Sequence, residues 1–181
     1  MAKSSSPQQF ALLAAVLAAG VTVFATAAVQ QNYRQSANDP QIQLARDGAD
    51  ALGRSLIPSA IVGDDPQIDA GSSLAPFVTV YDTNQHVLAT SGQFNGDTLT
   101  PPAGAFDYAK AHGEDRFTWA TSTGVREAAV LVYQSSGHAG YVLSARNLLE
   151  VEKREDSLRL MAMLTLAAIV LVAGGYALLV R

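Results

Sequence analysis

Two runs without a charged residue stand near the ends of the chain: Phe10–Val29, "FALLAAVLAAGVTVFATAAV", and Leu160–Val180. At a rise of about 1.5 Å per residue each gives about 30 Å of helix, the thickness of a hydrocarbon core. Each also exceeds the ~18 residues that separate a span from a buried core helix. The pattern predicts two transmembrane helices.

Between them the period changes twice. Ile42, Ala45, Ala49, Leu52 and Leu56 recur at helical spacing. Asp39 has the side chain of a cap, and Pro40 suits a first helical position, so a helix is expected from Pro40 to just before Pro58. Asp50 and Arg54 add an i,i+4 pair. The stretch 62–73, "VGDDPQIDAGSS", is a loop by composition. "PFVTVYDTNQHVLATSG" then alternates, predicting strands at 77–82 and 86–91 closed by a turn at Asp82 and Asn84, whose side chains bond locally and tolerate a left-handed backbone. A helix follows, with Thr100 as cap, Pro101 at its first position, Phe106 and Ala109 on one face and Gly113 as terminator. Three strands come next, at 116–122, 125–135 and 140–146, joined around Gly124 and at "SSGHAG" by links that suit antiparallel pairing. "NLLEVEKREDSLRL" reads as a helix running into the second span, braced by Glu150 with Arg154 and Glu155 with Arg159. No proline interrupts 103–181, which predicts a rigid exit helix.

The predicted order is therefore an α+β domain, a five-stranded antiparallel sheet with a long N-terminal helix, between two membrane helices. It divides the chain into a short N-terminus (1–9), a first span (10–29), a central domain (30–159), a second span (160–180) and the end residue 181. The first run admits a second reading. Lys3, the apolar stretch and the small residues "ATAA" at 25–28 would also suit a cleaved secretory signal; the length of the run and its helix-like polar continuation favour an anchor.

Charge refines the picture. All sixteen Asp and Glu lie in 30–159 with ten of the twelve Lys and Arg, so the central domain carries 10 − 16 = −6. That excludes nucleic acid as an expected partner and disfavours flat docking on anionic lipid. There is no cysteine, which rules out disulfides and thiolate metal sites. Lys3 with the amino terminus, and Arg181, on one side are opposed by Arg34 and Arg159 on the other, so the positive-inside rule gives only a weak vote and orientation rests on a second argument.

The stretches "QSANDPQIQLARDGADAL", "LAPFVTVYDTNQHVLATSG", "PPAGAFDYAKAHGEDRFTW" and "GYVLSARNLLEVEKRE", in this order, resemble the extracytoplasmic PAS-like (Cache-type) sensor domains of bacterial sensor histidine kinases and chemoreceptors. The likeness covers roughly 31–157 and rests on element order. It implies a helix near the membrane, a five-stranded antiparallel sheet with a helix after its second strand, a helix returning to the membrane, and a central domain outside the inner (plasma) membrane. The chain departs from the pattern after the second span, where only Arg181 stands in place of an output domain, so a message is expected to pass sideways through the membrane. Ala11, Ala15 and Ala19 repeat every four residues, and Ala173 and Ala177 repeat the spacing around Gly174 and Gly175. Small residues so spaced let helices approach closely. They would serve a membrane-protein partner, a homodimer, or the packing of the two spans on each other.

In ligand-binding members of that family the pocket lies on one sheet face, under the helix and loops between the second and third strands. The resemblance then implicates Tyr81, His112, Arg116, Trp119, Arg126, Tyr133 and His138. Arg116 and Arg126 would hold a small anionic ligand bidentately, Trp119 or Tyr133 would wall it, and His112 would tune its charge with pH. Alternation limits the set: Arg126, Ala128, Val130 and Val132 share one face, and Val125, Glu127, Ala129, Leu131 and Tyr133 share the other. Arg126 therefore reads equally as an end-of-strand or paired arginine, and Trp119 as a core anchor. Neither "GDD" nor "EKRED" has metal-ligand spacing. No nucleophile elbow, zinc-protease, P-loop or dinucleotide motif is present, so neither catalysis nor a cofactor is expected. Two classes remain: a membrane-anchored sensor-like or docking domain, or an accessory subunit of a membrane complex without a small-molecule ligand.

Overall fold

The computed structural model describes residues 7–64, 67–122 and 125–179, without the side chains of 8 and 33–39. Lys3, Asp65, Pro66, the Gly124 link, Val180, Arg181 and the side chains of Arg34 and Asp39 lie outside the described residues. The chain forms two units, one of residues 1–34 with 151–181 and one of residues 35–150.

The first unit holds the membrane-length portions of two helices, α1 (Pro7–Gly53) and α4 (Leu149–Leu179). Stretches of both are long and apolar enough to cross a membrane. A buried core helix would pass the same length test, but here neither apolar window buries any residue. Phe24 is 76% exposed and Leu171 74%. Surfaces of this kind are unfavourable in water and neutral in hydrocarbon. The hydroxyls of Thr22, Thr26 and Thr165 donate to the carbonyls of Ala18, Thr22 and Met161, one turn back, which satisfies them within their own helices.

Part of the alanine stripe lines a groove shared with the second long helix. Along α1 the recessed positions are Ala11, Ala15, Ala19, Thr22 and Thr26; along α4 they are Leu158, Ala162, Leu166, Ile169, Ala173 and Ala177. Each set follows one helical face. Ala11, Ala15 and Ala18 line one side of a groove of about 620 Å³, and Ile169, Ala173 and Tyr176 the other. Small residues so placed leave room for the two helices to pack on each other. Cysteines placed at Ala15 and Ala173, in a chain with none of its own, should be joined by a short bifunctional reagent. Leucine at Ala11 and Ala19 should lower the yield to less than about half by forcing the backbones apart.

In the second unit α1 continues from the membrane-length segment to Gly53 without interruption, so the helix predicted to begin at Pro40 does not begin there: Pro40 lies inside α1. A proline removes one hydrogen bond from a helix interior but does not forbid continuation where both flanks are helical. α1 also ends three residues earlier than its last predicted apolar residue, Leu56, at Gly53. A short helix, α2 (Pro58–Val62), follows and enters a region whose start was read as loop.

The sheet has five antiparallel strands: β2 (Phe77–Tyr81), β3 (Val87–Thr90), β5 (Glu114–Ser122), β6 (Val125–Gln134) and β7 (Gly140–Asn147), in the order β3-β2-β7-β6-β5. All five were predicted, within two residues at each end. A two-stranded parallel pair, β1 (Ile68–Asp69) with β4 (Gly92–Gln93), was not. α3 (Ala103–His112) joins β4 to β5. It starts after Pro102 rather than at Pro101, because a residue followed by proline is driven out of the helical region. Gly113, with φ +89°, ends it as expected. In the β2–β3 turn the Asp82 carboxylate accepts from the N–H groups of Asn84 and His86, but the left-handed residue is Gln85 rather than Asn84.

Alternation gives the sheet two cores. One face packs Phe77, Tyr81, Ala129, Leu131, Tyr141 and Leu143 against Phe106 and Ala109 of α3. The other packs Val80 and Val142 against Ala49 and Leu52 of α1 and Ile61 of α2. The β6–β7 turn closes on the end of α1, where His138 N–H donates to the Leu52 carbonyl at 3.1 Å. Gly137, at φ +63°, stands so near the Gly53 carbonyl that a Cβ would lie 2.3 Å from its oxygen.

Candidate functional site

The residues singled out for a ligand do not converge. Tyr81, Trp119 and Tyr133 belong to the face under α3. Arg116 pairs in register with Val130, and Arg126 with Ala120, on the face turned toward α1. A bidentate clamp of the two arginines walled by Trp119 or Tyr133 would require side chains from both sides of the sheet, which alternation forbids.

The implicated residues have contacts of their own. Tyr81 is fully buried, its hydroxyl donates to the Leu99 carbonyl at 2.7 Å, and its ring meets Phe106 edge-on at 5.2 Å. Burial pushes its phenol far above the usual range. It is a core residue whose polar end ties down the approach to α3. Tyr81→Phe should cost about 1 kcal/mol by leaving the Leu99 carbonyl unpaired, measured as a shift in the denaturant midpoint with an unchanged slope.

Arg116 is half-exposed and bonds its Nε to Glu114, which also accepts from Arg46 of α1 at 2.8 Å. Burial pulls the Glu114 carboxyl up, yet the two guanidinium groups outweigh it and hold the acid below its usual range. The trio pins the edge strand to α1. Arg126 stands exposed near the start of β6. Trp119 is half-buried beside Phe117, ring centres 5.5 Å apart, and packs on the α3-side core. Tyr133 packs on Tyr141 at 4.9 Å. His112, exposed at the end of α3, stacks on Tyr108 at 4.1 Å. His138 keeps its Nδ1 3.2 Å from the Leu56 carbonyl oxygen.

The most unusual chemical group is Glu127, which alternation places on the α3 side of the sheet. Glu127 has no exposed surface, and among the described residues neither carboxyl oxygen has a hydrogen-bond partner. Burial alone raises its pKa to about 7. Its cross-strand neighbours are Trp119 on β5 and Asn147 on β7. Asn147 Nδ2 donates to the carbonyls of Ala70 (2.7 Å) and Gly71 (3.2 Å), while its Oδ1 accepts from Leu149 N–H at 2.7 Å. The signal was present in the sequence as a lone acid in an otherwise apolar alternating set, Val125, Ala129, Leu131 and Tyr133.

On the α1 side, Gln41 and Ser144 are likewise fully buried, with side-chain polar atoms that have no hydrogen-bond partner among the described residues. Among the described residues no three His, Asp or Glu side chains group as metal ligands would. Compared with known proteins, the chain matches no family model and no curated protein.

Proposed function

We propose that this protein is a membrane-anchored docking domain. Its two apolar helices hold a PAS-like (Cache-type) α+β unit on the extracytoplasmic side of the inner membrane, where the unit binds a protein partner. The single observation that supports docking over capture of a small anion is the division of Arg116 and Arg126 from Tyr81, Trp119 and Tyr133 by the sheet. The space between sheet and α3 is taken by Phe106, set edge-on between Tyr81 and Tyr141.

Apolar side chains remain exposed at the β3 end of the sheet. Leu56 (40%) and Ile57 (60%) lead into α2, which packs on β2 and β3, and β3 itself carries Val87 (36%) and Leu88 (52%). Apolar residues gathered at one edge of a sheet suit a protein surface. The helix after the second strand of the sheet agrees with the sensor-domain resemblance, which supports the outward orientation.

A photo-crosslinking residue at Ile57 or Leu88, introduced into the full chain in cells, should yield a discrete protein adduct, while one at Tyr108 on the α3 side should not. A reporter active only outside the cytoplasm should work when inserted after Gly96. An absence of adducts together with stabilisation by small carboxylates would replace docking with sensing. A silent reporter would overturn the orientation.

A further inference from the structure

The root of α4 is held by two hydrogen bonds that both involve the neighbourhood of Glu127. Leu148 N–H donates to the Arg126 carbonyl at 2.9 Å, one residue from Glu127 on its own strand. Leu149 N–H donates to Asn147 Oδ1, and Asn147 is the residue opposite Glu127 on β7. The same asparagine amide holds the loop after β1 through Ala70 and Gly71. One side chain therefore ties a loop, a strand end and a helix start together, and a solvent-free carboxyl without a hydrogen bond stands beside it.

Residues on one face of paired strands at opposed positions have Cβ atoms about 5 Å apart. A neutral carboxylic acid is tolerable in such a place, whereas an ionised one requires water or a donor. Among the described residues no charged side chain is hydrogen-bonded to the Glu127 carboxyl. Asp69 in the loop is itself an acid, occupied by Gly71 N–H and Ser72 Oγ. Asp115 shares the face of β5 that carries Trp119, and Arg126 and Arg146 alternate to the opposite face. The first turn of α4 brings Glu150, Glu152 and Lys153, the acids in the majority. Burial is what sets the proton affinity of Glu127.

We propose that Glu127 is a proton-operated latch at the root of α4. With its proton on, the carboxyl stays enclosed beside Asn147, and the loop, β7 and α4 remain joined. When the proton leaves to water, the carboxylate draws water in, and the Asn147 clamp on Leu149, Ala70 and Gly71 opens. The helix so released is the one whose later residues have membrane-spanning length and apolarity. The inference goes beyond the docking reading and stands whether or not a partner binds.

Hydrogen exchange on the full chain in lipid nanodiscs tests it, with rates corrected for base catalysis from an unstructured peptide. Between about pH 5 and about 7 the amides of Leu148 and Leu149 should lose protection, by up to about tenfold per pH unit, and the loss should level off above that interval. The Leu143 amide, in the centre of β7, should stay slower throughout. Glu127→Gln, equal in size and unable to ionise, should abolish the pH dependence while keeping protection high. Unchanged protection in the wild type, an equal pH dependence in Glu127→Gln, or exchange of Leu143 in step with Leu149 would each overturn the latch. An independent reading needs no variant: the infrared band of a protonated carboxyl should fade as pH rises through about 7. A band unchanged over that range would also overturn it.

Discussion

Phe106→Ala should destabilise the 35–150 unit by about 3–5 kcal/mol, the largest effect expected from any single apolar truncation in this protein. Phe106 has no exposed surface. Its ring stands edge-on to Tyr81 at 5.2 Å and to Tyr141 at 5.1 Å, with interplanar angles of 84° and 86°. Both are geometries in which the positive rim of one ring meets the negative face of the other. Truncation removes two such contacts and leaves a cavity that α3, held at both ends, cannot collapse to fill. Trp119→Ala serves as the comparison. Trp119 is larger, but it is half-buried on the edge strand β5, so water already reaches it and its loss should cost about 1–2 kcal/mol. Urea unfolding followed by far-ultraviolet circular dichroism checks both. Equal costs for the two would mean that the core under α3 is not where the domain's stability is concentrated.

The second large effect is a pH dependence that runs opposite to the usual behaviour of acids. Most carboxylates in proteins are stabilised in the ionised form and lose stability as pH falls. Glu127 has its folded-state pKa raised from 4.5 to about 7. The folded state therefore holds a proton that the unfolded state has released throughout that interval. Its contribution is fully present below about pH 4.5 and is lost as pH rises through about 7. The interval corresponds to at most about 3 kcal/mol. Wild type should accordingly become less stable between about pH 5 and about 8, and Glu127→Gln should flatten that slope and be the more stable protein at about pH 8. Asp82 and Asp69 oppose the trend. The backbone N–H of His86 holds the Asp82 carboxyl below its usual range, and the Ser72 hydroxyl does the same for Asp69. Both favour folding above the ordinary carboxylate range and lose that contribution as pH falls through their lowered values. They act below the Glu127 interval, so the two trends are separable in one titration of the denaturant midpoint.

Secondary structure was legible wherever a local rule governs it. Uncharged runs of twenty residues admit a helix in lipid, alternation at 77–82 and 125–135 admits a strand, and Gly113 stops α3 because only glycine adopts its backbone angle at no steric cost. The misplaced starts have local causes too. Pro40 has identical chemistry at a helix start and inside a helix that continues on both sides, so residue type alone could not distinguish them. At Pro101–Pro102 the rule that excludes a helical residue before proline should have moved the start of α3 by two positions.

Thus the sequence by itself determined the five strands of the main sheet, α3, the two membrane-length helices, the order of these elements and the face of the sheet to which each strand residue belongs, because helix and strand periods and turn chemistry act over a few residues. Only the tertiary structure decided that β7, last of the strands in the chain, enters between β2 and β6. Alternation assigns a face to a side chain but not a neighbour to a strand. The same limit left open that the alanine stripes of the two spans line a common groove, and that Arg116 is taken by Glu114. It also concealed that Glu127 lies buried, with no hydrogen-bond partner among the described residues, opposite the asparagine that holds the start of α4. Burial and pairing are sums over residues distant in the chain, and the chain must fold before those sums exist.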